Sequence, residues 1–194
     1  MRELILARHG ESELSVLERL NGDPSLDVRL TELGREQARE LGRSVGEVDL
    51  VAHTSFVRTR ETAELAWPGA PLLELPELNE FGFGSFEGSR WTDGFDKWVV
   101  ASGPEDPSPG GGESRVAAVE RFVRGYRVLL ARPEERVALV AHGATVRYAL
   151  LALDGAPPAR VLEGVDPGRP FVVDADELAR AAEFLDAWVA TPVF

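Results

Sequence analysis

The chain has 194 residues, 44% of them apolar and 28% charged, a balance that suits one folded domain and excludes a disordered or fibrous chain. Cysteine is absent, which excludes disulfides, thiolate metal sites and cysteine nucleophiles, and the formal charge of -12 disfavours nucleic acid and anionic lipid as partners. No stretch approaches the roughly 20 apolar residues of a membrane span and the N-terminus has no secretory pattern, so a cytoplasmic protein without a membrane partner is expected.

The first element is an unbroken apolar run over residues 3 to 7, which predicts a buried parallel strand. It ends in Arg8, His9 and Gly10. Residues 31 to 46 follow with Ala38, Leu41 and Val45 on one helical face and Thr31 as N-cap. A second buried strand is expected at 48 to 52, followed by His53, which is read as structural, and a weaker one at 71 to 75. Residues 81 to 98 concentrate Phe81, Phe83, Phe86, Trp91, Phe95 and Trp98, a pattern that suits a small satellite core or an apolar wall facing a substrate. The stretch "GPEDPSPGGG" at 103 to 112 has too much proline and glycine for a regular element, so residues 81 to 112 read as a loop or lid inserted in one domain spanning 1 to 194.

Beyond the insertion, Val116, Val119, Val123, Tyr126 and Leu130 recur at helical spacing and predict a helix over 113 to 131, which Glu113 and Ser114 begin. A third buried strand at 136 to 141 ends in His142 and Gly143, repeating the ending of the first. A weaker strand at 170 to 174 precedes a helix over 175 to 190, opened by Asp174 and Glu177 as a capping pair. Strands alternating with helices predict an α/β fold, a mostly parallel central sheet with helices on both faces.

In such a sheet the ligand crevice lies outside the carboxyl ends of the strands. Arg8 and His9, Arg58 after the second strand, and His142 would then converge on one crevice, a set suited to a phosphate. Arginine offers a planar, permanently charged fork that matches two phosphoryl oxygens. Histidine keeps a neutral nitrogen near pH 7 that can attack phosphorus, and neighbouring guanidinium groups should lower its pKa further. Gly10, next to the ring, would let the backbone approach an anionic ligand.

The segments "LARHGES", "LTELGREQARELG", "TSFVRTRETAELA", "ELNEFGFGSFEG", "GGGES" and "LVAHGATVR" resemble, in order, the signature segments of the histidine phosphatase superfamily, whose fold is phosphoglycerate mutase-like. The resemblance covers residue 4 to about 150. It implies a three-layer sandwich, His9 as a nucleophile that is transiently phosphorylated, Arg8, Arg58 and His142 around the phosphoryl group, and Glu80 as general acid. No metal and no cofactor is required by that scheme. The chain departs from the family's pattern at three places. Ser15 stands where the family often has an asparagine touching the phosphate. Thr54, Ser55 and Phe56 replace the usual lead to the second arginine. Trp91 stands where the phosphoglycerate mutases carry a lysine that holds the substrate carboxylate, and no arginine pair follows.

Arg90 and Lys97 are the nearby cations that could substitute. These departures favour a phosphomonoester hydrolase working through phosphohistidine on a small-molecule phosphate, with Gly10, Ser15, Gly143 and Trp91 as binding residues. An apolar or ring-bearing leaving group would suit the aromatic stretch. The alternatives are a mutase-type phosphotransferase that depends on a bisphosphate cofactor, and a phosphoryl-binding protein without turnover. The oligomeric state is not legible.

Overall fold

The computed structural model describes residues 1–194. Five strands form one sheet: β1 (Glu3–Arg8), β2 (Leu50–His53), β3 (Leu72–Glu74), β4 (Arg136–Ala141) and β5 (Pro170–Asp174), in the order β3-β2-β4-β1-β5. The first four are mutually parallel and β5 pairs antiparallel with β1 at one edge. The apolar runs of β1 and β4 are buried on both faces because helices cover both, as parallel sheets require. Alternate residues divide between the two layers. Ile5, Ala7, Val51, Ala138 and Val140 pack beneath α2 (Glu32–Val45) and α3 (Val57–Ala66). Leu4, Leu6, Ala52, Val137 and Leu139 pack on the other side with α5 (Arg115–Leu130), α6 (Gly143–Leu153) and α7 (Ala175–Ala190). The architecture is therefore the expected three-layer sandwich.

The helix caps follow the sequence. Thr31 accepts the N–H of Gly34, Ser114 that of Ala117, and Asp174 that of Asp176 while Glu177 receives the Asp174 N–H. Glycine at 10 and 34 has a packing reason. A Cβ on Gly10 would lie 2.3 Å from the Gly34 carbonyl oxygen and one on Gly34 would lie 2.0 Å from that of Glu11, so only two glycines allow α2 to start against the β1 loop.

Residues 81 to 112 depart from the expected loop or lid. They form two 3₁₀ turns and the short helix α4 (Phe95–Ala101), and Phe81, Phe83, Phe95 and Val99 belong to the main hydrophobic cluster rather than to a satellite. The glycine-rich segment is fastened to this wall: the buried Ser108 donates its hydroxyl to the Phe83 carbonyl and the Glu113 N–H reaches the Gly82 carbonyl. The one-turn helix α1 (Glu13–Val16) completes the set.

Candidate active site

The register of the two central strands builds the site. Arg8 pairs with Ala141, so the residues that follow, His9 and His142, emerge side by side, with ring centroids 5.3 Å apart. Arg58, in the first turn of α3, reaches across them. Its Nε donates to His9 Nε2 at 3.0 Å, and one Nη lies 3.3 Å from His142 Nδ1. Groups scattered far apart along the sequence thus meet at the carboxyl ends of β1, β4 and β2. Arg8 joins them on the cavity wall, its Nη1 held by the Val165 carbonyl at 2.9 Å and its buried Nε without a partner.

Hydrogen bonds fix both tautomers. The His9 Nδ1 lies 2.7 Å from the Gly10 carbonyl, which only accepts, so Nδ1 carries the proton and Nε2 keeps the lone pair. His142 receives Arg58 at Nδ1 and therefore donates from Nε2 to the Thr54 hydroxyl, 2.8 Å away, which in turn donates a hydrogen bond to the Thr59 hydroxyl. Both rings are buried, and burial together with the Arg58 and Arg8 charges holds their pKa values well below 6.5. The neutral form required of a nucleophile is the resting form. Arg58 is buried too, and desolvation brings it down to about 10, which leaves it charged at neutral pH.

Glu80 enters the same cavity on the turn between the 3₁₀ segment Pro76–Leu78 and the aromatic wall. Its carbonyl and those of Glu77 and Asn79 are gripped by Arg121 of α5, which is itself paired with Glu113. Burial raises the Glu80 carboxyl above the ordinary carboxylate value, against the opposing pull of the Phe81 N–H and of Arg58, Arg8 and Arg121. A carboxyl whose proton is held more tightly than usual is thereby placed beside the cationic cradle.

The remaining expectations divide. Trp91 and Gly143 line the adjoining chamber. Gly10 lies outside the lining of both cavities and has a packing role: its N–H is donated to Thr62 at 3.1 Å and its missing side chain makes room for α2. Ser15 lines the cavity but its hydroxyl is spent locally, donating to the Ser12 carbonyl and accepting the Ser12 N–H. Asn21, which the sequence reading missed, takes the polar position instead and accepts from Arg58 through both Oδ1 (2.5 Å) and its backbone oxygen (3.0 Å). Arg90 and Lys97 are exposed and line neither cavity. His53 turns its Nδ1 to the Thr54 carbonyl.

The cavity around His9, Arg8, Arg58 and Glu80 encloses about 140 Å³ and shares Arg8, Leu20, Glu80 and Phe83 with a chamber of about 310 Å³. Phe81, Phe83, Trp91, Phe95, Trp98, Val99 and Tyr148 are among that chamber's lining residues.

An α/β sandwich that presents one neutral imidazole, two guanidinium groups and a raised carboxyl to a small cavity, with a second imidazole buried behind them, defines a class: proteins whose site suits a phosphoryl group beside a histidine. Residues 4–168 match the histidine phosphatase superfamily (branch 1), and the chain belongs to that family. It is similar to the 2,3-bisphosphoglycerate-dependent phosphoglycerate mutase of Parvibaculum lavamentivorans, 33% identical over 194 residues and covering 90% of each chain. Among solved structures it resembles a phosphoglycerate mutase from Thermus thermophilus at 33% identity and a TM-score of 0.68, covering 88% of this chain and 92% of that one. It also resembles a candidate alpha-ribazole-5'-P phosphatase from Escherichia coli at 25% identity and a TM-score of 0.75, covering 89% and 90%.

Proposed function

We propose that this protein is a phosphomonoesterase that hydrolyses a small-molecule phosphate through a phosphohistidine at His9, without a metal ion. The observation that carries the reading is the pairing of the phosphoryl cradle with an apolar chamber in place of a carboxylate site. The two other guanidinium groups on the chamber wall, Arg115 and Arg160, are engaged by backbone carbonyls of residues 99 to 103 and packed on Phe194. A phosphoglycerate carboxylate would have little to bind there.

In this reading the His9 Nε2 lone pair attacks phosphorus as the Arg58 N–H that now engages it turns to a phosphoryl oxygen. The P–O bond to the leaving group breaks in line, and Glu80 gives its proton to the departing oxygen. Glu80, now a carboxylate, takes a proton from the water that attacks phosphohistidine, which restores neutral His9 and releases inorganic phosphate. Arg8, Arg58 and His142 offset the charge on the equatorial oxygens throughout.

The names of the relatives support a second reading, a mutase, in which phosphohistidine is passed to a second hydroxyl. Product identity separates the two. With 3-phosphoglycerate and a 2,3-bisphosphoglycerate primer the hydrolase reading expects inorganic phosphate or no reaction. Isomerised phosphoglycerate formed faster than any monoester is hydrolysed would overturn it, and so would loss of turnover in a chelator.

The raised Glu80 carboxyl sets a pH dependence. The acid acts protonated in the first step, so kcat/KM for an alkyl ester, whose alkoxide must receive a proton, is high below the raised pKa and falls as pH rises through it. A p-nitrophenyl ester leaves without that proton, and its phosphorylation burst should stay flat across the same range. Glu80→Gln is expected to lower alkyl ester turnover about 10²- to 10³-fold while the p-nitrophenol burst persists. Equal losses for both esters in stopped-flow measurements would remove Glu80 from the acid role.

A further inference from the structure

We propose, resting on the phosphomonoesterase reading, that the chamber beside the phosphoryl cradle takes a flat leaving group of one or two aromatic rings bearing a hydrogen-bonding atom, with Tyr148 reading that atom. A volume of about 310 Å³ is at the small end of ligand sites and fits a group of that size. Its walls are planar: Phe95 stacks on Trp98 at 5.3 Å with an interplanar angle of 24°, and Trp91 meets Phe95 edge-on at 5.1 Å. Rings arranged this way offer faces and edges to another ring.

The polar tips of the large side chains discriminate structural positions from ligand positions. In the body of the protein each is satisfied internally. Trp67 donates to the Gly46 carbonyl, Trp188 to Val193 and Tyr126 to Thr145. On the chamber wall none is. The side chains of Trp91, which is 38% exposed, Trp98 and Tyr148 make no hydrogen bond within the protein, and none of their polar atoms is among the sealed orphans Arg8 Nε, Glu87 Oε2 and Asp96 Oδ1, so each is open to the chamber or to solvent.

Tyr148 is the most telling, since the residue is 3% exposed and lines the chamber, while its hydroxyl has no protein partner and is not sealed off. A hydroxyl that opens on a cavity and has no protein partner takes its hydrogen bonds from whatever fills that cavity, water or a ligand. The hydroxyl sits within the electrostatic reach of Glu80 and Arg115, and burial raises its pKa, so it remains a neutral donor and acceptor across the working pH range. The position is legible only in space, because in the sequence Tyr148 is one more apolar-looking member of α6.

Alkyl esters test this without a difference in leaving-group acidity. Naphthylmethyl, quinolinylmethyl, octyl and glycerol-2-phosphate esters all release an alkoxide. The expected order of kcat/KM is quinolinylmethyl, then naphthylmethyl, each more than about 10-fold above the octyl and glycerol esters. Tyr148→Phe should bring the quinolinylmethyl to naphthylmethyl ratio from about 10 to about 1, since a site built to bond a polar atom loses its preference when the partner is removed. Trp91→Ala should lower both ring-bearing esters.

An octyl ester as good as the naphthylmethyl ester would overturn the ring requirement, and an unaltered ratio in Tyr148→Phe would overturn the residue's role. Acetyl phosphate, which needs no chamber, separates the two levels in the unmodified protein. If it phosphorylates His9 while ring-bearing esters gain nothing, this inference falls and the hydrolase reading stands; if no donor yields phosphoenzyme, both fall.

Discussion

Replacing His9 by alanine is expected to abolish acid-labile phosphoenzyme and to lower turnover of every phosphomonoester by at least about 10⁴-fold, as loss of a nucleophile does elsewhere. The protein should still fold, because the His9 ring makes only two hydrogen bonds, to the Gly10 carbonyl and from Arg58, and the space it leaves joins a cavity, lined by Arg58, that water can enter. The comparison that gives the experiment its force is His142→Ala. The two imidazoles are chemically alike, both neutral and both touched by Arg58. Only His9 lines the phosphoryl cavity, whereas His142 is fully buried with Nε2 committed to Thr54.

His142→Ala should therefore slow the chemistry and still give labelled protein in an acid-quench experiment with ³²P-labelled substrate. Label retained by His9→Ala and absent from His142→Ala would exchange the two roles.

What could be read from the sequence follows from which forces are local. The strands β1 and β4 and the helices α2, α5 and α7 announce themselves through apolar runs, helical spacing and caps, and the site residues His9 and His142 fall at strand ends where an open parallel sheet must put them. Glu80 enters only with the family resemblance, since a lone carboxylate carries no signal of its own, and Arg58 stands out from other helix arginines only by following a buried strand.

Other residues depend on long-range contact. Asn21 lies in an irregular stretch, and its value exists only once Arg58 reaches across 37 positions to use it. Arg121 looks like a solvated residue of an amphipathic helix, yet it gathers three carbonyls of residues 77 to 80. Ser15 misleads for the opposite reason: the position matches, but a side chain shorter than asparagine closes on its own turn. Gly10 likewise stands next to the nucleophile for a reason found in α2, which no local reading can supply.

Arg58→Met is expected to lower kcat/KM by about 10³-fold or more, the scale of an arginine that stabilises a phosphoryl transition state, while the unliganded protein melts within a few degrees of the parent. Two terms oppose each other in stability. Burial that brings Arg58 to about 10 corresponds to about 3 kcal/mol of unfavourable charge desolvation, which a thioether of similar length would relieve. Against it, the fully buried His142 Nδ1 loses its donor at about 1–3 kcal/mol, whereas His9 and Asn21 line a cavity where water can replace theirs.

The near cancellation means that Arg58 is retained for the anion and not for the fold. Its contribution should appear only when the anion is present. Vanadate or inorganic phosphate at 100 times its dissociation constant stabilises a protein by about 2.7 kcal/mol, a rise of several degrees in Tm for a chain of this size. That rise should be seen in the parent and be lost in Arg58→Met. A variant that keeps the full anion-dependent rise would show that phosphate is held elsewhere, and the cradle at the ends of β1 and β4 would lose its claim to the chemistry.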